Sequence, residues 1–368
     1  MSNSPLAQLA ANGVSIWLDD LSRSRIVSGG LRDLITNRSV SGVTTNPTIF
    51  AGALAKGEGY QAQVAELAAA GATAEQAIFE ITTKDVADAC DIFAGVYAES
   101  NGFDGRVSIE VEPGLANDTE GTVKQAKELF AKVNRENVMI KIPATQQGLS
   151  AIREMIAEGR NVNVTLIFSL SRYQEVMDAY IEGLEQRMAS GSPVSGIASV
   201  ASFFISRVDN EIDKRLDQLG TPAALALRGT AAVNQARLAY AAFQKTFSGP
   251  RWDALATAGA SVQRPLWAST STKNPSYPDT MYVDQLIGPD TVNTLPDATL
   301  EAFAEHGTVA RTIDINIGVS RRQWAELAMN SIDVDEVAAQ LEAEGVASFI
   351  KSFDELINAL EDKAAGIL

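Results

Sequence analysis

Short apolar runs alternate with longer segments of helical periodicity along most of the chain. The runs that predict strands are 14–18, 40–45, 107–111, 138–142, 161–168, 196–201, 264–269 and 291–295. The helical patterns are 22–37, 49–70, 73–100, 119–133, 147–158, 171–189, 204–218, 222–247, part of 277–286, 320–329 and 334–360. Strands separated by helices are typical of parallel βα units. Eight such units predict an α/β fold, a closed (β/α)₈ TIM barrel rather than an open sheet.

The pattern also predicts how the chain is divided. No linker rich in Gly, Pro or Ser interrupts it, so residues 1–368 are expected to form a single domain. The stretch 49–100 holds more helix than one crossover needs, which predicts an inserted helix there. Because a barrel of this type needs only about 250 residues, we expect the helices of 300–368 to pack on the barrel. A long apolar helix such as 346–360 is suited either to cover the site or to mediate a dimer.

Polar residues occupy alternate positions in five of the predicted strands. Side chains alternate between the two faces of a strand, so the apolar set would pack on the helices and the polar set would point into the barrel. The polar set near the strand ends is Asp19, Thr44, Asn46, Ser108, Glu110, Lys141, Asn161, Asn163 and Thr165. Barrels place their active sites at the C-terminal strand ends, and buried polar groups need partners. The pattern therefore predicts a functional lumen, although a structural layer of polar residues accounts for one or two of these positions.

Lys141 is the polar residue in the otherwise apolar strand 138–142. Burial disfavours the charged form of a lysine, so more of the amine is neutral and able to attack a carbonyl. Taken alone, the segment favours a lysine that extends its amine into solvent at a strand end, and the polar residues elsewhere in the chain reverse that preference. Surrounded by carboxylates, amides and a hydroxyl, the amine suits imine chemistry on a carbonyl compound, with a carboxylate that transfers protons.

Charge and composition exclude several functions. The formal net charge of −16 disfavours nucleic acid as a partner, and an anionic substrate would need a local cluster of Arg or Lys. His306 is the only histidine and Cys90 the only cysteine, so a His/Cys zinc site and a disulfide framework are both unexpected. We expect His306 to be a helix-end residue. A metal site made of carboxylates alone stays open, but no acidic run indicates one.

Neither a nucleotide cofactor nor a membrane location is expected. No Gly-x-Gly-x-x-Gly run follows a strand. The first residues lack the basic segment and apolar core of a signal peptide, and no apolar run is long enough for a membrane helix. The chain is expected to be soluble and cytoplasmic.

An ordered set of motifs resembles the transaldolase family. The motifs are Leu18-Asp19, Gly42-Val-Thr-Thr-Asn-Pro47, Lys141-Ile-Pro-Ala-Thr145, Asn163-Val-Thr-Leu-Ile-Phe-Ser169, Ser199-Val-Ala-Ser-Phe-Phe-Ile-Ser-Arg-Val-Asp209, Trp267-Ala-Ser-Thr270 and Lys273-Asn-Pro275. The stretch Gly288-Pro-Asp-Thr-Val-Asn-Thr-Leu-Pro-Asp297 is similar to the longer bacterial members of the family. Each tetrapeptide is a weak signal, whereas the order of the whole set is specific.

The resemblance implies a role for each matching residue. Lys141 would form the Schiff base and Asp19 would be the acid/base of C–C cleavage. Glu110 and Thr165 would hold the water used in dehydration. The implied substrate-binding residues are Asn46 and Asn163 for donor hydroxyls, Ser202 for the dihydroxyacetone part, and Arg207, Ser269 and Lys273 for the phosphate.

For three of these site residues the sequence also allows another assignment. Asp20 follows Asp19, so either carboxylate is a candidate, although strand position favours Asp19. Arg207 could instead be a surface arginine paired with Asp209 or Glu211. At Lys273, shorter relatives carry an arginine soon after the serine, so a neighbouring residue could complete the phosphate site.

The activity that the resemblance implies is a transferase of the pentose phosphate pathway that needs no metal or other cofactor. It would move a dihydroxyacetone unit between sugar phosphates. An aldolase of the same family, which releases dihydroxyacetone, and a non-catalytic sugar-phosphate binder stay as alternatives. Glu110 favours the transferase, because the small aldolase relatives tend to have a glutamine there. Both a monomer and a homodimer are compatible with the sequence.

Overall fold

The computed structural model describes residues 4–56 and 59–367, with side chains as far as residue 362. Its strands are β1 (Val14–Leu18), β2 (Val40–Val43), β3 (Arg106–Glu110), β4 (Val138–Pro143), β5 (Val162–Ile167), β6 (Ser199–Phe204), β7 (Gln263–Ala268) and β8 (Thr291–Leu295). They pair in sequence order, all parallel, and β8 pairs with β1 to close the barrel. The predicted (β/α)₈ barrel is confirmed.

Helices separate the strands and surround the barrel. They are α1 (Pro5–Ala11), α2 (Arg23–Val27), α3 (Gly30–Arg38), α4 (Pro47–Lys56), α5 (Gln61–Ala69), α6 (Ala74–Glu99), α7 (Thr119–Val133), α8 (Gln146–Ala157), α9 (Leu170–Ala189), α10 (Ser206–Leu219), α11 (Pro222–Leu225), α12 (Ala231–Thr246), α13 (Pro250–Thr257), α14 (Met281–Asp284), α15 (Asp297–His306), α16 (Ile317–Met329) and α17 (Val334–Ile367), with a short 3₁₀ turn at Pro113–Leu115. Within the described residues, no helix is both long and apolar enough to cross a membrane.

Several predicted boundaries are wrong, and glycines explain three of them. The stretch 22–37 is two helices because Gly29 adopts a φ of +85° between them, and 222–247 is broken by Gly229 at +68°. The predicted strand 196–201 lies three residues later, because Gly196 adopts a φ of +80° in the preceding loop. Positive φ favours glycine and ends regular structure. Helices α13 and α15 are absent from the prediction, whereas His306 ends α15 as expected.

Extra helices occur at the two predicted places. Between β2 and β3 lie α4, α5 and α6, and residues 57–58 in this stretch are outside the described part. After β8 come α15, α16 and α17, and α17 packs against α4 and α6. The assignment of the whole chain to one domain stays a prediction.

The two faces of the strands divide as their parity predicts. Ile140 and Ile142 are fully buried, consistent with the packing of β4 against helices α7 and α8. Lys141, between them, lines a cavity at the C-terminal mouth of the barrel instead. A parallel barrel brings the C-terminal ends of all its strands to this one mouth, so residues that are distant in sequence meet there.

Candidate active site

Lys141 lies in the C-terminal mouth with its amine shielded from solvent. The residue is 5% exposed, and its Nζ donates a hydrogen bond of 3.1 Å to the carbonyl oxygen of Thr45. Nζ also lies 5.7 Å from the ring centroid of Phe349. The alternative of a lysine that extends into solvent is therefore wrong, because the amine is enclosed by Thr45 after β2, Glu110 of β3 and Phe349 of α17.

Glu110 is the carboxylate nearest to the amine. Its Oε2 lies 3.1 Å from Lys141 Nζ, and the Glu110 side chain is 3% exposed. The pairing follows from the register, in which Glu110 of β3 stands opposite Lys141 of β4. Burial raises the pKa of the Glu110 carboxyl, and the charge of Lys141 opposes that rise. A carboxyl held in this balance can both accept and donate a proton.

Glu110 and Thr165 share an unusual feature. Glu110 Oε1 and Thr165 Oγ1 are buried without a hydrogen-bond partner among the described residues, and Glu110 Oε2 has only the Lys141 amine, 3.1 Å away. Thr165 ends the sequence Val-Asn-Val-Thr in β5 and lines the Lys141 cavity. Since buried polar atoms are nearly always hydrogen-bonded, these three oxygens are suited to a small polar molecule.

Asp19 lines the same cavity and is held by a neighbouring strand. Thr44 Oγ1 donates a hydrogen bond of 3.0 Å to Asp19 Oδ1. Burial raises the pKa of the Asp19 carboxyl, while the charge of Lys141 and the Thr44 hydrogen bond lower it. Asp20 lies elsewhere, paired with Arg25 at 2.8 Å in a separate cavity. The structure therefore places Asp19 in the Lys141 cavity and Asp20 outside it, whereas the sequence alone left either carboxylate as the candidate.

A chain of hydrogen bonds links Ser202, Asn163 and Ser108, and Asn163 stands opposite Lys141 in the register of β4 and β5. Ser202 Oγ donates to Asn163 Oδ1 at 2.7 Å, and Asn163 Nδ2 donates to Ser108 Oγ at 3.0 Å. Ser202 lines the cavity, whereas Asn163 is fully buried behind it. Asn46 also lines the cavity, and its Oδ1 accepts a hydrogen bond of 3.0 Å from the Ile49 amide at the start of α4.

Arg207 stands at the opposite side of the cavity, near the N-terminus of α10. Its guanidinium carbon lies 4.8 Å from the ring centroid of Phe204. Burial lowers its pKa, and the charges of Asp19 and Glu344 oppose the change. The surface-pair alternative is wrong, because Glu211 pairs with Arg215 at 2.9 Å and Asp209 accepts a hydrogen bond of 2.7 Å from Tyr282.

Ser269 and Lys273 complete this end of the cavity. Ser269 adopts a φ of +56°, and its Oγ lies 2.9 Å from Ser206 Oγ. Lys273 Nζ lies 2.7 Å from Ser271 Oγ, and both residues line the cavity. A helix N-terminus favours negative charge, so α10, Arg207 and Lys273 together form the local positive region that an acidic chain needs for an anion.

The cavity also contains residues that the sequence did not single out. They are Thr48, Ile49, Phe204, Leu266, Ala268, Ser271, Thr294, Pro296 and Phe349. Thr44, which also lines the cavity, belongs to the polar set that strand parity predicts. Phe349 carries no such signal, because it belongs to α17 and reaches the site only through the path of that helix.

These groups define a class of barrel. Lysine-based chemistry on a phosphorylated carbonyl compound requires an enclosed amine beside a carboxylate, a second carboxylate in the same cavity, and a region that binds an anion. Comparison with known proteins gives the family. The family model "Transaldolase/Fructose-6-phosphate aldolase" matches residues 16–360. The chain belongs to this family.

Curated relatives match almost from end to end. A protein named transaldolase from Mycolicibacterium smegmatis is 55% identical over 98% of this chain and 97% of its own. Transaldolase 1 of Streptomyces coelicolor is 55% identical over 96% of this chain and 93% of its own. The transaldolase of Frankia alni is 53% identical over 98% and 97%.

Proposed function

We propose that this chain is a transaldolase that transfers a dihydroxyacetone unit through a Schiff base on Lys141. In the proposed reaction sedoheptulose 7-phosphate and glyceraldehyde 3-phosphate give erythrose 4-phosphate and fructose 6-phosphate. The observation that carries the proposal is the enclosed Lys141 amine 3.1 Å from the Glu110 carboxylate, in the mouth of the barrel. The names of the relatives support the same activity.

The proposed first stage is imine formation. The neutral Lys141 amine attacks the ketose carbonyl carbon, and the resulting carbinolamine loses its hydroxyl as water. We propose that Glu110 and Thr165 hold a water molecule that carries protons in this step. The support is that the oxygens of both residues are buried and otherwise unpartnered among the described residues. Burial raises the pKa of the Glu110 carboxyl, which brings its proton exchange nearer to neutral pH.

The proposed second stage is cleavage and transfer. Asp19 removes the proton of the hydroxyl next to the bond that breaks. The bonding electrons move to the iminium and form an enamine, and the aldose leaves. A new aldehyde is then attacked by the enamine carbon, and its oxygen takes a proton back from Asp19. The Thr44 hydrogen bond orients the Asp19 carboxylate for both directions.

Substrate binding is assigned to the polar walls. Asn46 and Ser202 are proposed to contact hydroxyls of the donor, with Ser202 oriented by its 2.7 Å hydrogen bond to Asn163. A direct contact of Asn163 with the donor stays a prediction. Arg207, Ser269 and Lys273 are proposed to bind the phosphate, for which the planar guanidinium provides paired donors.

Removal of Arg207 tests the phosphate site. We expect Arg207→Ala to raise the KM for fructose 6-phosphate about 10- to 100-fold, because a hydrogen bond to a charged group contributes about 1.5–3 kcal/mol. The KM for unphosphorylated fructose should change little. Lys214→Ala, at an exposed position of the same helix, is the control. An equal loss with both sugars would mean that Arg207 does not bind phosphate.

Neutralisation of Glu110 tests the proton-transfer role. Glu110→Gln should slow borohydride-trapped adduct formation by about 10²-fold or more, because acid–base groups contribute 10²–10⁴ to rates. The adduct is measured by mass spectrometry after rapid quenching. Glu112→Gln is the control, since Glu112 lines the same cavity as Glu110 two residues further on, whereas among the described residues the carboxylate that pairs with Lys141 is that of Glu110. Adduct formation at the wild-type rate in Glu110→Gln would remove this role.

Release of dihydroxyacetone is the second candidate activity, because the family description covers fructose-6-phosphate aldolase as well. The rate of free dihydroxyacetone formation from fructose 6-phosphate, with and without an aldose acceptor, separates the two activities. Suppression by acceptor supports transfer, and equal release in both cases supports the aldolase. A chain that forms no adduct would be a sugar-phosphate binder.

Small-molecule sugar phosphates are the proposed partners. The net charge of −16 supports this choice over nucleic acid. The choice between a monomer and a homodimer stays open.

A further inference from the structure

We propose that Phe349 of α17 determines the specificity of the site by setting how often the enamine reacts with an aldehyde rather than with water. The inference rests on the proposed Schiff base at Lys141. It concerns the partition between transfer of the three-carbon unit and its release as dihydroxyacetone.

Helix α17 packs closely against the mouth of the barrel. A side chain at Gly345 would place its Cβ 2.9 Å from Leu166 Cδ2 and 3.6 Å from Arg207 Nη1, so only glycine allows this approach without a shift. Phe349 follows four residues later and therefore lies on the same face of the helix. Its ring is 4% exposed and its centroid is 5.7 Å from Lys141 Nζ. The helix thus brings an aromatic ring beside the reacting nitrogen.

Hydrogen bonds hold α17 in this position. Ser352 Oγ lies 2.7 Å from Thr48 Oγ1, which belongs to α4 and lines the Lys141 cavity. Near the other end, Arg215 Nη2 donates to Gln340 Oε1 at 2.7 Å. These contacts flank Phe349 along the helix. The ring is therefore a fixed part of the cavity wall.

Two reactions compete for the enamine. In transfer, the enamine carbon attacks the aldehyde carbon, a C–C bond forms, and the aldehyde oxygen takes a proton. In release, the enamine carbon takes a proton from water, which leaves hydroxide. Addition of that hydroxide to the iminium carbon and cleavage of the C–N bond then free dihydroxyacetone and the Lys141 amine. Transfer leaves an iminium of the product sugar, which water then hydrolyses in the same way, so both courses use water at an iminium carbon. Only release needs water at the enamine carbon, so exclusion of water from the enamine favours transfer.

Phe349 is the residue placed to exclude that water. The other apolar residues of the cavity are Phe204, Leu266 and Ala268 on β6 and β7, Ile49 on α4 and Pro296 after β8. Phe349 differs from them because its ring centroid lies 5.7 Å from the Lys141 amine. Truncation of the ring would open space beside the enamine without removing a polar group that binds the donor. The expected effect is therefore on the fate of the enamine and not on its formation.

The test compares three variants in the full-length chain. Each is first incubated with fructose 6-phosphate and borohydride, to measure the adduct on Lys141. The rate of dihydroxyacetone release without acceptor is then divided by the rate of transfer to glyceraldehyde 3-phosphate. We expect Phe349→Ala to raise this ratio about 10-fold or more, with adduct formation retained. Phe349→Leu, which keeps an apolar side chain, should give an intermediate ratio.

Phe353→Ala is the matched control, because it removes the same ring one turn further along α17, outside the lining of the Lys141 cavity and beside the cavity that Glu110 and Glu112 line. It should leave the ratio at the wild-type value. An unchanged ratio in Phe349→Ala, or an equal rise in Phe353→Ala, would overturn the inference while leaving the proposed function intact. If Phe349→Ala does not fold, an unchanged ratio in Phe349→Leu overturns it. Absence of an adduct in the wild-type chain would instead overturn the proposed function, and this inference with it.

Discussion

Lys141→Ala is expected to abolish the borohydride-trapped adduct with fructose 6-phosphate and to reduce transferase activity to background. The iminium that this amine forms is the electron sink of the proposed reaction, and the other lysine of the cavity, Lys273, is assigned to the phosphate and not to the carbonyl. Intact-mass and peptide mass spectrometry measure the adduct, and a coupled assay of aldose formation measures the activity. Lys351→Ala, which removes an amine that is 79% exposed on α17, should retain both.

Folding must be followed in the same experiment. Removal of one partner of a buried ion pair destabilises a protein by about 3–5 kcal/mol, because the remaining charge is left unpaired. Here the loss should be smaller, since burial already raises the pKa of Glu110 and the carboxyl can become protonated once Lys141 is absent. We therefore expect a folded variant with a lower melting temperature. A folded Lys141→Ala chain that still forms an adduct would exclude Lys141 as the nucleophile.

Strand parity accounts for how much of this site can be predicted from sequence. In β1, β3 and β4 the residues Asp19, Glu110 and Lys141 have the parity opposite to their apolar neighbours. Closure of a parallel barrel then brings the three strand ends to one mouth. The ion pair between Glu110 and Lys141 follows from these two rules together, because the strands are adjacent and in register.

The parts that sequence reasoning misses depend on long-range geometry. Periodicity shows that 334–360 is helical, but the path of α17 across the mouth depends on its contacts with α4 and Leu166. The same limit applies to β6, whose start depends on the φ of Gly196 and on the Ala198 amide, which donates to Asn161 at 3.0 Å. The position of Ser202 as a buried strand residue is a consequence of that shift.

Asp19→Ala is expected to allow adduct formation and to stop the reaction before cleavage. The proposed base acts only when the C–C bond breaks, and loss of such a group typically slows a step by about 10²–10⁴-fold. The mass of the trapped adduct shows whether the C–C bond has been cleaved. Wild-type chain should accumulate the three-carbon adduct, whereas Asp19→Ala should accumulate the six-carbon adduct of intact fructose 6-phosphate.

Asp20→Ala is the control for this prediction, because Asp20 pairs with Arg25 at 2.8 Å and lines a different cavity. It should give the wild-type three-carbon adduct.

The pH dependence of the cleavage rate gives an independent measure of the role of Asp19. Burial raises the pKa of Asp19, and a base works only when deprotonated, so the cleavage rate should rise as pH increases through that pKa. Asp19→Asn should lose this rise. Rapid formation of the three-carbon adduct in Asp19→Ala would assign the proton transfer to another group, and Glu110 is then the remaining carboxylate within reach of the amine.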